Sequence, residues 1–194
     1  MTSKSLLETL NPKGHLEIIK RYSNGLEETV LDDHNIITVG MGITLASLFS
    51  NTTSTTAAEK FSIGYFQIGD QGVTMASSLT QLAGPIDASE YGNTDLTISA
   101  INIGGTGGTV VKDSAYLNPQ YIKKNGNKVT YSLVLDEQTA NSIAINEIGL
   151  FSRDPLLTET ASVPPSAYLC CYRSFTAITK TEAFVLIFKW TLEF

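Results

Sequence analysis

Asp32-Asp33-His34 is the densest group of potential metal ligands in the chain. Two carboxylates and an imidazole in sequence could contribute oxygen and nitrogen ligands. A closed metal site needs a second group at ligand spacing, and none accompanies these three. The same residues, followed by Asn35, equally well end a strand. His15, the other histidine, falls on a strand face, where a solvated or hydrogen-bonded surface role suffices. A hydrolytic triad built on either histidine would need an activated nucleophile, and the chain has no Gly-x-Ser-x-Gly elbow.

Gly104-Gly105-Thr106-Gly107-Gly108 has the glycine content of a phosphate-cradling loop. It lacks the Gly-Lys-Ser/Thr ending, and no helical pattern follows it, so a tight or pliant loop is expected. Cys170 and Cys171 are neighbours flanked by Tyr168, Leu169 and Tyr172. Adjacent strand residues point to opposite faces, so no ordinary disulfide joins them, and apolar surroundings make a thiol inert. Glu147 stands between apolar residues and reads as a bulge carboxylate satisfied by backbone N–H groups or by Arg173. A pair of carboxylates placed for glycoside hydrolysis is a matter of spatial separation, which sequence does not give. The reading assigns no catalytic, cofactor-binding or metal-binding residue, no cofactor and no enzymatic activity.

The elements that would position these groups are mainly strands. The final stretch, Ala183 to Phe194, alternates strictly, with Phe184, Leu186, Phe188, Trp190, Leu192 and Phe194 on one face. Alternate strand residues point to opposite sides, so this is one continuous apolar stripe. A bare edge of this kind would aggregate, so the strand must be paired and covered. Gly14–Tyr22 and Leu26–Leu31 flank Ser23-Asn24-Gly25, a hairpin turn signal. Ile37, Met41, Leu45, Leu48 and Phe49 recur at helical spacing after Thr38, a candidate N-cap. Gly40 and Gly42 weaken that helix, which implies very close approach to a sheet.

Phe61–Asp70 reads as a strand with a phase change, hence a bulge or two buried faces. Thr94–Ile103 is a weaker candidate. Val129–Leu135 alternates with Val129, Tyr131, Leu133 and Leu135 inward. Ile143–Phe151 switches phase at Asn146-Glu147, which places a bulge there. Ala167–Arg173 reads as a short strand, and Phe175–Thr181 as a connector. Leu6, Leu7 and Leu10 suggest a helical turn and a half, stopped by Pro12.

About seven to nine strands and one helix result. The expected fold is all-β, a mainly antiparallel β-sandwich with one short helix packed against it. Residues 1–13 form an N-terminal arm, and residues 14–194 one domain with an insertion at 72–127. With 194 residues and 42% hydrophobic content, one domain can bury a substantial core. A net charge of −6 gives no basic surface for nucleic acid. Lys123, Lys124 and Lys128 surround Asn125-Gly126-Asn127 and read as a solvated hairpin tip. No apolar run reaches the roughly 20 residues of a membrane span, and residues 1–8 lack a signal-peptide core. The expectation is a soluble protein made in a cytoplasm.

Four segments together carry a resemblance. They are Tyr65-Phe66-Gln67-Ile68-Gly69-Asp70, Val129 to Leu135, Asn146-Glu147-Ile148-Gly149-Leu150-Phe151, and Tyr172 to Thr181 leading into Phe188-Lys189-Trp190-Thr191. The order resembles that of virion structural proteins of tailed bacteriophages, nearest to collar-like tail-fibre domains and related baseplate or neck proteins. It spans roughly residues 61–194 and is loose over 72–127. The resemblance implies a non-enzymatic module that assembles with itself, as a trimer or ring, and with other virion proteins. The chain would be made in a host cytoplasm and carried in the virion. No fibre shaft follows Phe194, so an adaptor is expected. Two alternatives stand beside it: a capsid decoration protein, and a carbohydrate-binding sandwich. The latter would display aromatics, for which Tyr91, Tyr116 and Tyr121 are candidates.

Overall fold

The computed structural model describes residues 12–49, 63–86, 101–102, 122–138, 140–152 and 167–194. Ten strands and one helix lie among them. They are β1 (Lys13–Tyr22), β2 (Glu27–His34), β3 (Ile36–Ile37), α1 (Val39–Phe49), β4 (Ile63–Gly69), β5 (Ile101–Asn102), β6 (Ile122–Asn125), β7 (Lys128–Leu135), β8 (Ala144–Ser152), β9 (Leu169–Thr179) and β10 (Phe184–Glu193). They form two sheets, ordered β2-β1-β10-β7-β6 and β3-β9-β8-β4-β5, with antiparallel pairing throughout. The architecture is the expected antiparallel sandwich with one short helix.

The apolar final stretch is the central strand of the first sheet. β10 pairs with β1 from Lys13↔Glu193 to Tyr22↔Phe184, and with β7 from Leu186↔Leu135 to Glu193↔Lys128. Both backbone edges are thus satisfied along most of its length. Leu186, Phe188, Trp190 and Leu192 are all buried, and they meet Phe66, Ile68, Ile145, Ile148 and Leu150 of the second sheet. Trp190 and Phe66 have ring centroids 6.3 Å apart; Phe188 and Phe175 are at 6.5 Å. The opposite face of the same sheet carries polar cross-pairs beside the buried Ile19 and Ile187, which are paired with each other. Lys189 Nζ lies 3.2 Å from Glu17 Oε2, Lys128 Nζ lies 3.1 Å from Glu193 Oε2, and the Thr130 and Thr191 hydroxyls are 2.9 Å apart.

The second sheet is buried on both faces, which explains the phase change in β4. Phe66 and Ile68 enter the shared core, while Tyr65 joins Leu82, Phe151, Leu169 and Tyr172 on the other side. Residues 70–86 cover that side, with Met75, Leu79 and Leu82 packed into it. In β8 the phase switches between Ile145 and Glu147, where the register also shifts. Ile145 faces Ile178 and Glu147 faces Ser174, so the two extra residues are on β9. The bulge falls where the alternation breaks, but its length is carried by the partner strand.

Four local expectations are corrected. Asp32, Asp33 and His34 continue β2 rather than end it. β9 runs through Thr179, absorbing most of the expected connector. Gly40 approaches the sheet closely, since a Cβ there would lie 2.1 Å from the Leu169 carbonyl oxygen, whereas one on Gly42 would meet nothing within 4 Å. Thr38 stands at the start of α1, but its hydroxyl donates to the Leu169 carbonyl instead of capping a helix N–H. The expected turn of helix near Leu6 and most of the 94–103 strand lie outside the described residues, as does the Gly104–Gly108 loop.

Candidate functional site

One cluster of buried polar groups centres on Glu147, which β8 places on the outer side of the second sheet. Its side chain is fully buried. Oε1 accepts from the Gly84 N–H at 2.7 Å, and Oε2 accepts from the Ala83 N–H at 3.2 Å and the Tyr172 hydroxyl at 2.8 Å. The Tyr172 oxygen in turn accepts from the Val73 N–H at 3.0 Å. Asn146 Oδ1 accepts from the Gly72 N–H at 2.7 Å. Three neighbouring side chains therefore hold both ends of the 70–86 segment by its main chain. Gly69 makes room for the carboxylate, since a Cβ there would sit 2.4 Å from Glu147 Oε1. Burial pushes the Tyr172 phenol up to about 12, and the adjacent carboxylate adds to the shift.

This arrangement uses up its own chemistry. The three accepted hydrogen bonds take all but one of the carboxylate's roughly four acceptor positions. The sequence reading of Glu147 as a carboxylate held by backbone N–H groups is what the structure shows. The alternative partner, Arg173, is engaged elsewhere.

Arg173 reaches across to β2. Its Nη1 donates to the His34 carbonyl at 2.6 Å, and its Nη2 to Asp33 Oδ2 at 2.7 Å. Its Nε is buried without a hydrogen-bond partner among the described residues. The His34 N–H donating to Asp33, together with the Arg173 charge, holds the Asp33 carboxyl below the usual range. Asp32 pairs instead with His15, Nε2 to Oδ1 at 2.5 Å. The supposed ligand run is thus divided, because successive strand residues face opposite sides. Among the described residues, no group of three or more His, Cys, Asp and Glu could hold a metal ion.

Cys170 and Cys171 are both buried and unpaired. Burial pushes the Cys170 thiol up to about 11 and that of Cys171 well above the usual range. At neutral pH both are thiols rather than nucleophilic thiolates. Lys180 is buried too, and burial lowers its pKa. Its ammonium donates to the Thr181 carbonyl at 2.7 Å and Asn141 Oδ1 at 3.3 Å, and lies 5.3 Å from the Phe184 ring centroid. It fastens the turn around Asn141, where Ala140 and Ser142 have positive φ.

One further contact joins the sheets' connection to the core. Trp190 Nε1 donates to Asn35 Oδ1 at 2.7 Å, and Asn35 Nδ2 donates to the Ile36 carbonyl at 2.9 Å. Gly14 permits this, since a Cβ there would overlap the Asn35 amide. No sequence signal links residues this far apart. Two clefts remain. One, of about 530 Å³, lies at the β1–β2 hairpin tip beside Tyr22, Leu26, Glu27, Glu28 and Ala183. The other, of about 210 Å³, lies between β2 and β9 beside Lys20, Leu31 and Phe175. In the first, the Tyr22 hydroxyl donates to Glu28 Oε2 at 2.7 Å, an exposed contact. Tyr91, Tyr116 and Tyr121 lie outside the described residues. Among those described, no helix is long and apolar enough to cross a membrane.

No family model matches the chain, and neither a curated protein nor a solved structure does.

Proposed function

We propose that the chain is a non-enzymatic, multi-copy structural component of a tailed-bacteriophage virion, an adaptor in the tail, baseplate, neck or fibre-attachment region. The reading rests on the four segments whose order resembles such proteins. The observation that carries it is where the polar residues of those segments are spent. Asn146, Glu147 and Tyr172 bind the 70–86 segment, and Arg173 binds β2. These are the most distinctive side chains of the resemblance, and each fixes one piece of chain against another. A module whose marked residues all brace the fold suits permanent packing better than turnover.

Three of the four segments, in β4, β8 and β9, are neighbours in one sheet. Val129–Leu135 and Phe188–Thr191 are neighbours in the other. The partners on this reading are other copies of the chain and other virion proteins. The test is mass spectrometry and immunogold imaging of purified particles from the host that expresses the protein. Stoichiometric presence at one location on the particle is expected. Absence from particles, with the protein monomeric in the infected lysate, would overturn the proposal.

A further inference from the structure

The two outermost strands of the first sheet carry opposite charge. β2, at one edge, contains Glu27, Glu28, Asp32 and Asp33; β6, at the other, contains Lys123 and Lys124. Among the described residues, neither edge has a further strand against it. Every residue of β2 except Leu31 is exposed, and so are Lys123, Lys124 and Asn125. Lys123 and Lys124 make no ion pair among the described residues. Asp32 and Asp33 have internal partners, but their side chains remain 63% and 51% exposed. Each carboxylate can accept more than the one contact it makes.

Topology gives these charges a direction. The sheet has five antiparallel strands, so its two outer strands run the same way. If a second copy extends the sheet with both layers in line, its β2 lies parallel to the first copy's β6. Parallel neighbours alternate in phase, so a lysine doublet can meet an aspartate doublet face for face. The register places them close. Across the sheet, Ile122 is level with Tyr131, Trp190, Leu16 and Asp33. Lys123 shares the outer phase with Asp32, and Lys124 the inner phase with Asp33. A slide of two residues, about 7 Å, sets the doublets opposite. Without the slide they are diagonal neighbours, within reach of a lysine side chain.

We infer that successive copies join edge to edge, with the basic β6 of one against the acidic β2 of the next, Lys123 and Lys124 facing Asp32 and Asp33. The inference rests on the multi-copy reading and names its contact surface. Such a contact uses two different patches, so each added copy leaves one acidic and one basic edge free. It closes into a ring if the rotation allows and otherwise continues as a filament. Lysine on an edge strand can also serve the opposite purpose, keeping other strands away. The experiment separates the two roles.

The full chain is followed by sedimentation velocity over a concentration series. Wild-type association is expected to weaken at least about tenfold between ~0.05 and ~0.5 M salt. K123E/K124E and D32K/D33K are each expected to be monomeric, and an equimolar mixture of the two to assemble again. Melting curves check that both variants fold, since Asp33 also holds Arg173. A second measurement needs no charge: D32C mixed with K123C, then oxidised, should give an interchain disulfide that neither variant gives alone. A wild-type protein monomeric at every concentration, with no cross-link, makes the lysines edge guards and overturns the inference. Assembly that survives K123E/K124E, with the protein present on particles, overturns the edge contact while leaving the multi-copy reading intact.

Discussion

Replacing Glu147 with alanine tests the central claim about the polar cluster. The carboxylate accepts from two main-chain N–H groups and one phenol in a fully buried setting. Alanine leaves these three donors without their acceptor. An orphaned buried polar group costs about 1–3 kcal/mol, and three are created at once. The three penalties do not add fully, because residues 70–86 can lift and let water in. A loss of about 3–5 kcal/mol is therefore expected, equivalent to a fall in melting temperature of roughly 6–20 °C for a domain of this size. Urea denaturation gives the magnitude. Amide hydrogen exchange gives the location: Val73, Ala83 and Gly84 should lose protection before the β10 amides do. Glu147→Gln keeps the shape but sets an amide against N–H donors, and should cost about 1–3 kcal/mol. A Glu147→Ala variant within about 1 kcal/mol of wild type, or one whose 70–86 amides exchange unchanged, would refute the clamp.

Gly40→Ala forces a methyl against the Leu169 main chain and should cost about 2 kcal/mol or more by urea denaturation, whereas Gly42→Ala should be neutral or stabilising. Asn35→Ala removes the acceptor of the Trp190 indole N–H and should cost about 1–3 kcal/mol, with a shift in tryptophan emission as the accompanying sign. Neither cysteine should react with a thiol reagent in the native protein at neutral pH, and both should react in denaturant. The Tyr172 phenol is raised from 10.0 to about 12, so its contribution is complete below pH 10 and is lost as the pH climbs toward 12. Tyr172→Phe should therefore flatten part of the alkaline fall in stability, the buried Tyr131, also raised, accounting for another part.

Short-range patterns carried most of the architecture. The strict alternation from Phe184 to Leu192 reports burial directly, because a strand has a period of two. The break at Asn146-Glu147 reports the bulge for the same reason, and two glycines in an otherwise apolar helix point to close approach, correctly at Gly40. Gly42 carried no such meaning. The misses share a physical origin. Asp32 and Asp33 are poor strand formers, and β2 tolerates them because His15 and Arg173 give their carboxylates partners. Arg173 is 140 positions away from Asp33, and nothing local announces it. The two extra residues on β9 disguised a long strand as a short one followed by a loop. For the polar cluster, Glu147 was legible as a satisfied carboxylate. Its partners Ala83, Gly84 and Tyr172 were not, because a main-chain N–H has no signature in the side-chain pattern.

The buried indole has a practical consequence. Trp190 is the chain's single tryptophan, and it sits between Asn35 and Phe66, at the seam where both layers meet. Its ultraviolet fluorescence is therefore an intrinsic gauge with one emitter and one location. Separation of the two layers should move that emission to longer wavelength, while peeling of residues 70–86 alone should leave it nearly still. A single spectrum would then tell opening of the sandwich apart from loosening of its outer cover.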